Sequence, residues 1–186
     1  MDKTPLPDHR GSALELEKGA AGETGGKAVL FHLGAELLAV DSSLVQEIVP
    51  MARLSVPGGA PSVLAGFLNL AGRPIPVFRL HRLLNLPEPS YGLYTQIIIL
   101  RDGGGRSVGW IVDRVAQIVT VRRTEIMPVP EKECFKDCTK GFLTVGDAHV
   151  PIMIPDRVLL EQERQRVAQF QEMEQARLRE LAQSAT

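Results

Sequence analysis

Cysteine, histidine and aromatic side chains are all scarce in this chain, and each scarcity excludes a class of function. Among 186 residues there are two cysteines, four histidines, one tryptophan, two tyrosines and six phenylalanines. Two thiols, Cys134 and Cys138, cannot staple a fold, and in the reducing cytoplasm, where the chain is expected to reside, they stay reduced. So few aromatics give no platform on which bases could stack. A formal net charge of −1 offers no basic excess for nucleic acid. No apolar run reaches the roughly 18 residues that a spanning helix needs, so direct membrane insertion is not expected. The N-terminus has no apolar signal core. There is no Gly-x-Ser-x-Gly elbow, no phosphate-binding loop ahead of a helix and no kinase triplet. Asp41, Glu47 and Asp113 have no sequence-local partner that would mark an acid–base pair. The expectation is a protein without catalysis and without a cofactor.

What the chain does contain is organised around Val63–Leu84, VLAGFLNLAGRPIPVFRLHRLL. Gly66 and Gly72 bracket an apolar run, and a second run starts at Ile75. This predicts two strands joined at a Gly-Arg-Pro corner and followed by a helical turn at His81–Leu84. Pro74 and Pro76 lack N–H groups, so the second strand cannot be bonded along its whole length on both edges.

Residues 1–27 carry Pro5, Pro7 and five glycines between Gly11 and Gly26, the composition of a disordered leader. Ala28–Leu33 and Leu37–Val40 read as strands around a tight turn. Ser42 and Ser43 would cap a helical turn leading to a strand that ends at Val49. Val56–Pro61 is loop. Asn85–Gly92 is a Pro-rich polar boundary. Tyr94–Leu100 and Ser107–Val112 form a hairpin across a turn at Arg101–Arg106. A turn at Asp113–Val115 precedes a strand from Ala116 to Arg122, and Ile126–Pro130 is extended. Gly141–Val145 and His149–Ile154 make a last hairpin.

Asp156–Gln183 lacks Gly and Pro and reads as a helix of about 40 Å. Leu160, Val167, Phe170, Leu178 and Leu181 share one side, interrupted by Glu163 and Glu174. Two readings stand: a docked first part with a solvated end, or a helix for a partner or for self-association. Cys134, Cys138 and His149 offer an alternative function, a thiol- or metal-dependent module, but structural zinc sites need four ligands and a fourth is not evident.

Several of these blocks, in order, resemble the CheW family of chemosensory coupling adaptors. The resemblance covers about Val29–Leu160. It rests on Val29–Leu33 with Gly34, on Val45-Gln46-Glu47-Ile48, on Pro61–Gly72, on Ile75–Leu80 and on Val108–Val115. It implies a mostly β fold: two five-stranded SH3-like β-barrels with short helical turns, here with a long C-terminal α-helix. The boundaries expected from it are a leader over 1–27, a CheW-like domain over 28–156 and a helix over 157–186. Barrel one would span about 34–88, and barrel two about 92–156 together with strand 28–33. It implies a non-catalytic scaffold joining the cytoplasmic tip of a chemoreceptor to the regulatory domain of a CheA-type histidine kinase, at membrane-associated arrays. Kinase contacts would fall on Val45, Gln46, Glu47 and Ile48. Receptor contacts would fall on Gly66, Asn69, Arg73, Gly109, Val115 and Ile118. The family's Asn-Leu-Arg-Gly corner reads Asn69-Leu70-Ala71-Gly72 here, and Arg79 replaces the family's aspartate. These departures point to an alternative chemosensory pathway, outside motility.

Overall fold

Short β-branched runs punctuated by glycine turns fold into strands, and only the C-terminal segment forms a long helix. The computed structural model describes residues 24–129, 136–159 and 161–184. The strands are β1 (Thr24–Leu33), β2 (Glu36–Asp41), β3 (Val45–Pro50), β4 (Leu64–Leu70), β5 (Arg73–Arg79), β6 (Gln96–Arg101), β7 (Ser107–Val112), β8 (Arg114–Arg122), β9 (Ile126–Met127), β10 (Thr139–Val145) and β11 (Ala148–Met153). The helices are α1 (Leu80–Leu83), α2 (Pro155–Val158) and α3 (Glu161–Ser184).

The strands form two sheets, ordered β3-β6-β7-β5-β4 and β8-β1-β2-β11-β10-β9. In the first, the chain leaving β3 bonds Met51 N to Thr95 O, then exchanges two backbone bonds between Ser55 and Phe67 of β4. That bridge draws the outer strands toward closure. In the second, β8 passes through a single 3-10 turn at Arg123–Glu125 into β9, which pairs with β10. Counted as one bent strand, β8–β9 brings this sheet to the five strands expected of an SH3-like barrel.

Strand pairing divides the chain differently from the expected 34–88 and 92–156 halves. β2 sits with β8–β11, and the β6–β7 hairpin sits with β3–β5. The reason lies in β6, where Ile97–Leu100 are buried on both faces. Such a strand needs partners on both edges and packing on both sides, and it finds β3 and β7.

Three apolar clusters follow from side-chain alternation. Ala28, Leu30 and Ala39 pack with Val121, Leu143, Val150 and Ile152 within the second sheet. Ala65, Leu68, Ile75, Val77, Ile97, Ile99 and Ile111 pack within the first. The largest cluster joins the two sheets. It takes Val29, Phe31, Leu33, Leu38 and Val40 from one and Phe67, Phe78, Ile98, Leu100, Trp110 and Val112 from the other. β1 and β6 each feed two clusters through the period of two along a strand.

Some local expectations shift. β1 begins at Thr24, inside the segment expected to be a leader, and residues 1–23 lie outside those described. Asp41, not a serine, caps the turn at Ser42–Leu44, its carboxylate accepting from Ser43 N at 2.9 Å and Ser43 Oγ at 2.7 Å. The β4–β5 corner turns at Ala71-Gly72, both with positive φ (50° and 80°), and Asn69 Oδ1 accepts from Gly72 N at 2.9 Å. β8 starts at Arg114 with no preceding helical turn, because Arg114 and Val115 already pair with His32 and Phe31. The prolines of β5 sit where only β4 is alongside; β7 joins from Val77 onward. The C-terminal helix is interrupted at Leu159, whose backbone is extended (φ −103°, ψ 136°).

Gly66 stands at a bulge with φ +146°, and an added Cβ would lie 2.6 Å from Ser55 O and 2.9 Å from Leu54 Cβ. Gly66→Ala is expected to cost about 2 kcal/mol or more, read as a lower urea midpoint. Gly72→Asn, with open space around the same atom, should cost less than about 1 kcal/mol.

Candidate partner-binding surfaces

The four residues expected to face a kinase all lie on β3, a terminal strand of its sheet. They do not share one face. Val45 and Ile48 are half-buried and pack on the shared core, while Gln46 and Glu47 are exposed. A bulge between Val45 and Glu47 turns the strand there. Gln46 is oriented by Ser107, whose hydroxyl donates to Gln46 Oε1 at 2.7 Å. The strand thus presents two polar side chains over a fixed apolar base.

The six residues expected to face a receptor divide into three kinds. Gly66 and Gly109 are buried. At Gly109 a Cβ would meet Ile97 and Val77 methyls at 3.0 Å, so this glycine permits β7 to pack. Asn69 and Arg73 are exposed and flank the β4–β5 turn. Val115 and Ile118 lie on β8, the terminal strand of the other sheet; Val115 is half-buried and Ile118 is 61% exposed. An open groove of about 460 Å³ runs beside Asn69, between Arg53–Val56 and the residues Glu174, Arg177 and Leu178 of α3.

Residues that sequence reading passed over hold these surfaces in place. Asp113, at the β7–β8 corner, accepts from Gly34 N at 2.6 Å and faces His81 Nε2 at 3.5 Å. His81 is 1% exposed. Gln96 Oε1 accepts from Val115 N at 2.6 Å, fixing the start of β8 to the first sheet. Asp113 has no nearby partner in sequence because its partners arrive from the β1–β2 turn and from α1.

Arg79 ties together another junction. Its guanidinium donates to Ser62 O at 2.9 Å and Leu64 O at 2.6 Å, and lies 3.3 Å from the Glu88 carboxylate. Arg82 donates to Glu88 at 2.6 Å and the Tyr91 hydroxyl donates to it at 2.5 Å. Burial pushes the Glu88 carboxyl up, but hydrogen bonds from Tyr91 and Arg82 and the charges of Arg82 and Arg79 outweigh it. The group is held below its ordinary 4.5. Burial, then the Glu88 bond and charge, push Tyr91 up to about 12.

The thiol or metal alternative finds no support. Cys138 Sγ donates to Arg157 O at 3.1 Å, and burial pushes its thiol up, away from the reactive thiolate. His149 is exposed on β11 opposite Thr144, and Cys134 lies outside the described residues. Among the described residues no group of three His, Cys, Asp or Glu side chains could hold a metal ion. Among them, too, no helix is long and apolar enough to cross a membrane.

A family model described as a CheW-like domain matches residues 27–164. The chain is 34% identical over 111 residues to the chemotaxis protein CheW of Bacillus subtilis, which covers 59% of this chain and 69% of that one. It is 34% identical over 112 residues to CheW of Klebsiella aerogenes, covering 60% and 67%. Its structure is similar to that of the scaffolding protein TtCheW from Thermoanaerobacter tengcongensis. The TM-score is 0.66 at 26% identity, over 70% of this chain and 84% of that one.

Asp113→Ala leaves Gly34 N–H and His81 without their carboxylate, and should cost about 1–3 kcal/mol in urea unfolding. Because the folded state lowers the Glu88 pKa, its stabilisation is present above the ordinary 4.5 and is lost as pH falls through the lowered value. Because the folded state raises that of Tyr91, its stabilisation is present below the ordinary 10.0 and is lost as pH rises through about 12. Ultraviolet titration of phenolate should show that late step, and Tyr91→Phe should remove it.

Proposed function

The chain belongs to the CheW-like domain family, and from that premise we propose how it performs the family's work as a chemotaxis scaffold that couples receptors to the kinase CheA. The coupling is done by two surfaces on one rigid body. The kinase's regulatory domain meets β3 at Gln46 and Glu47, with Val45 and Ile48 shaping the strand beneath them. The receptor tip meets Asn69 and Arg73 at the β4–β5 corner and Ile118 on β8. Gly66, Gly109 and Val115 set the backbone that carries those contacts.

One observation carries this reading. β3 and β8 are terminal strands of different sheets, yet the sheets share one apolar core. A terminal strand offers backbone and side chains to a partner, and a common core transmits position from one face to the other. Exposed polar residues around a small apolar contact suit an interface that forms without either partner refolding. No step in this mechanism makes or breaks a covalent bond. Acting beneath a receptor array, the chain needs no membrane segment of its own. Ala71, Arg73 and Arg79, where the chain departs from the family's pattern, fit a receptor and kinase specific to it, in an alternative pathway.

Glu47→Lys should weaken binding of the CheA regulatory domain by about tenfold or more, the effect of a central interface residue, and leave receptor binding unchanged. Arg73→Glu should do the reverse. Titration calorimetry with each purified partner checks both. Two variants that bind both partners like the parent chain would remove these faces from the mechanism.

A further inference from the structure

The family match stops at residue 164, but α3 continues to Ser184 and lies along the first sheet. Its first turns are anchored by apolar packing. Val167 is 4% exposed and joins the shared core, with Phe170 beside it. Asp156 holds the preceding segment by accepting from Gly103 N at 2.8 Å and pairing with Arg164 at 3.8 Å.

From Gln171 on, the attachment changes character. Gln171 Nε2 donates to Pro74 O at 3.0 Å, Gln175 Nε2 to Gly72 O at 3.1 Å, and Arg177 Nη1 to Ser55 Oγ at 3.2 Å. Gln171, Gln175 and Leu178 follow one face of the helix. Pro74 lies in the part of β5 that has no β7 beside it. Gly72 is the turn between Asn69 and Arg73. The second half of α3 therefore lies against the turn between the two residues, whose own side chains stay exposed, and fills one side of the approach to them. It is held there mainly by long polar side chains, with Glu174 and the half-buried Leu178 as its other inward groups, beside the open groove lined by Leu54, Val56 and Asn69. Leu181 is 55% exposed. Hydrogen bonds that water can replace release more readily than apolar packing.

We propose that α3 from Gln171 onward is a cover, built into the chain, over the β4–β5 corner, so that its docking competes with receptor binding at Asn69 and Arg73. The inference rests on the assignment of those two residues to the receptor face. A receptor tip that closes around the exposed Asn69 and Arg73 meets the helix at Gly72 and must displace it, so its apparent Kd rises by the inverse of the fraction of molecules whose helix has lifted. Val167 and Phe170 act as the fixed end about which the rest moves.

The test uses the full chain with Gln171→Ala and Gln175→Ala together. Both residues are only partly buried, and alanine preserves the helix. If about nine molecules in ten are covered, the double variant should bind a receptor signalling fragment about tenfold more tightly than the parent chain. Its affinity for the CheA regulatory domain should be unchanged. Receptor binding to the parent chain should also raise amide exchange across residues 171–184. Equal receptor affinity with unchanged exchange overturns the cover and leaves the receptor face standing. Weaker binding by the double variant also overturns it, making α3 part of the receptor surface. If neither protein binds the receptor fragment while both bind the kinase domain, the receptor assignment falls and the cover falls with it.

Discussion

The burial of Trp110 against Phe31 is the contact on which the rest of the structure depends. Their ring centroids lie 6.3 Å apart, tilted by 55°, and both are about 1% exposed or less. One ring comes from each sheet, so the pair joins what would otherwise be two small barrels. An aromatic burying roughly 200 Å² contributes on the order of 5 kcal/mol, a large fraction of the stability of a typical domain. Phe67, Phe78, Leu33 and Leu38 surround the pair. Separating the sheets would expose all of them at once, so β3 and β8 keep a fixed relation. Each barrel's own cluster, built from Ile, Val, Leu and Ala, is smaller and contains no aromatic ring.

Polar contacts then set the angle between the parts that apolar packing has brought together. Asp113 draws the β1–β2 turn to the β7–β8 corner, and Gln96 holds the first residues of β8. Arg79 and Arg82 hold the Pro-rich linker through Glu88 and fasten it to the start of β4. A small shift in any of these would move Ile118 or Asn69 relative to β3. Hydrogen bonds supply direction where apolar contact supplies none.

The sequence showed the hairpins clearly, because alternation and glycine turns are local signals. The β4–β5, β6–β7 and β10–β11 pairs were all legible, and so was the loop over Val56–Pro61. Which sheet each hairpin joins was not legible, since β2 and the β6–β7 hairpin choose partners far away in the chain. The same distance hid Asp113 and Gln96. The helix break at Leu159 carries no glycine or proline to mark it. Glu174 interrupted the apolar stripe in the sequence, yet it is 7% exposed on the docked side, paired with Arg177 at 3.6 Å. A pattern search that reads every buried helix position as apolar passes over such a residue. On β3 and β8, which residues point outward was set by bulges and tertiary packing.

The prolines of β5 connect the fold to its C-terminal addition. Pro74 and Pro76 lack the N–H groups that a second neighbouring strand would use, and β7 pairs with β5 only from Val77. A proline still has a carbonyl, so this stretch is left with an acceptor and no strand to fill it. Gln171 does so, and Gln175 takes the carbonyl of the adjoining turn. A glutamine on a helix can reach a carbonyl without requiring strand geometry. The feature that ends one sheet edge early is thus the feature that gives α3 a place to lie. The helix docks against this corner, where the sheet leaves its backbone carbonyls to side-chain donors.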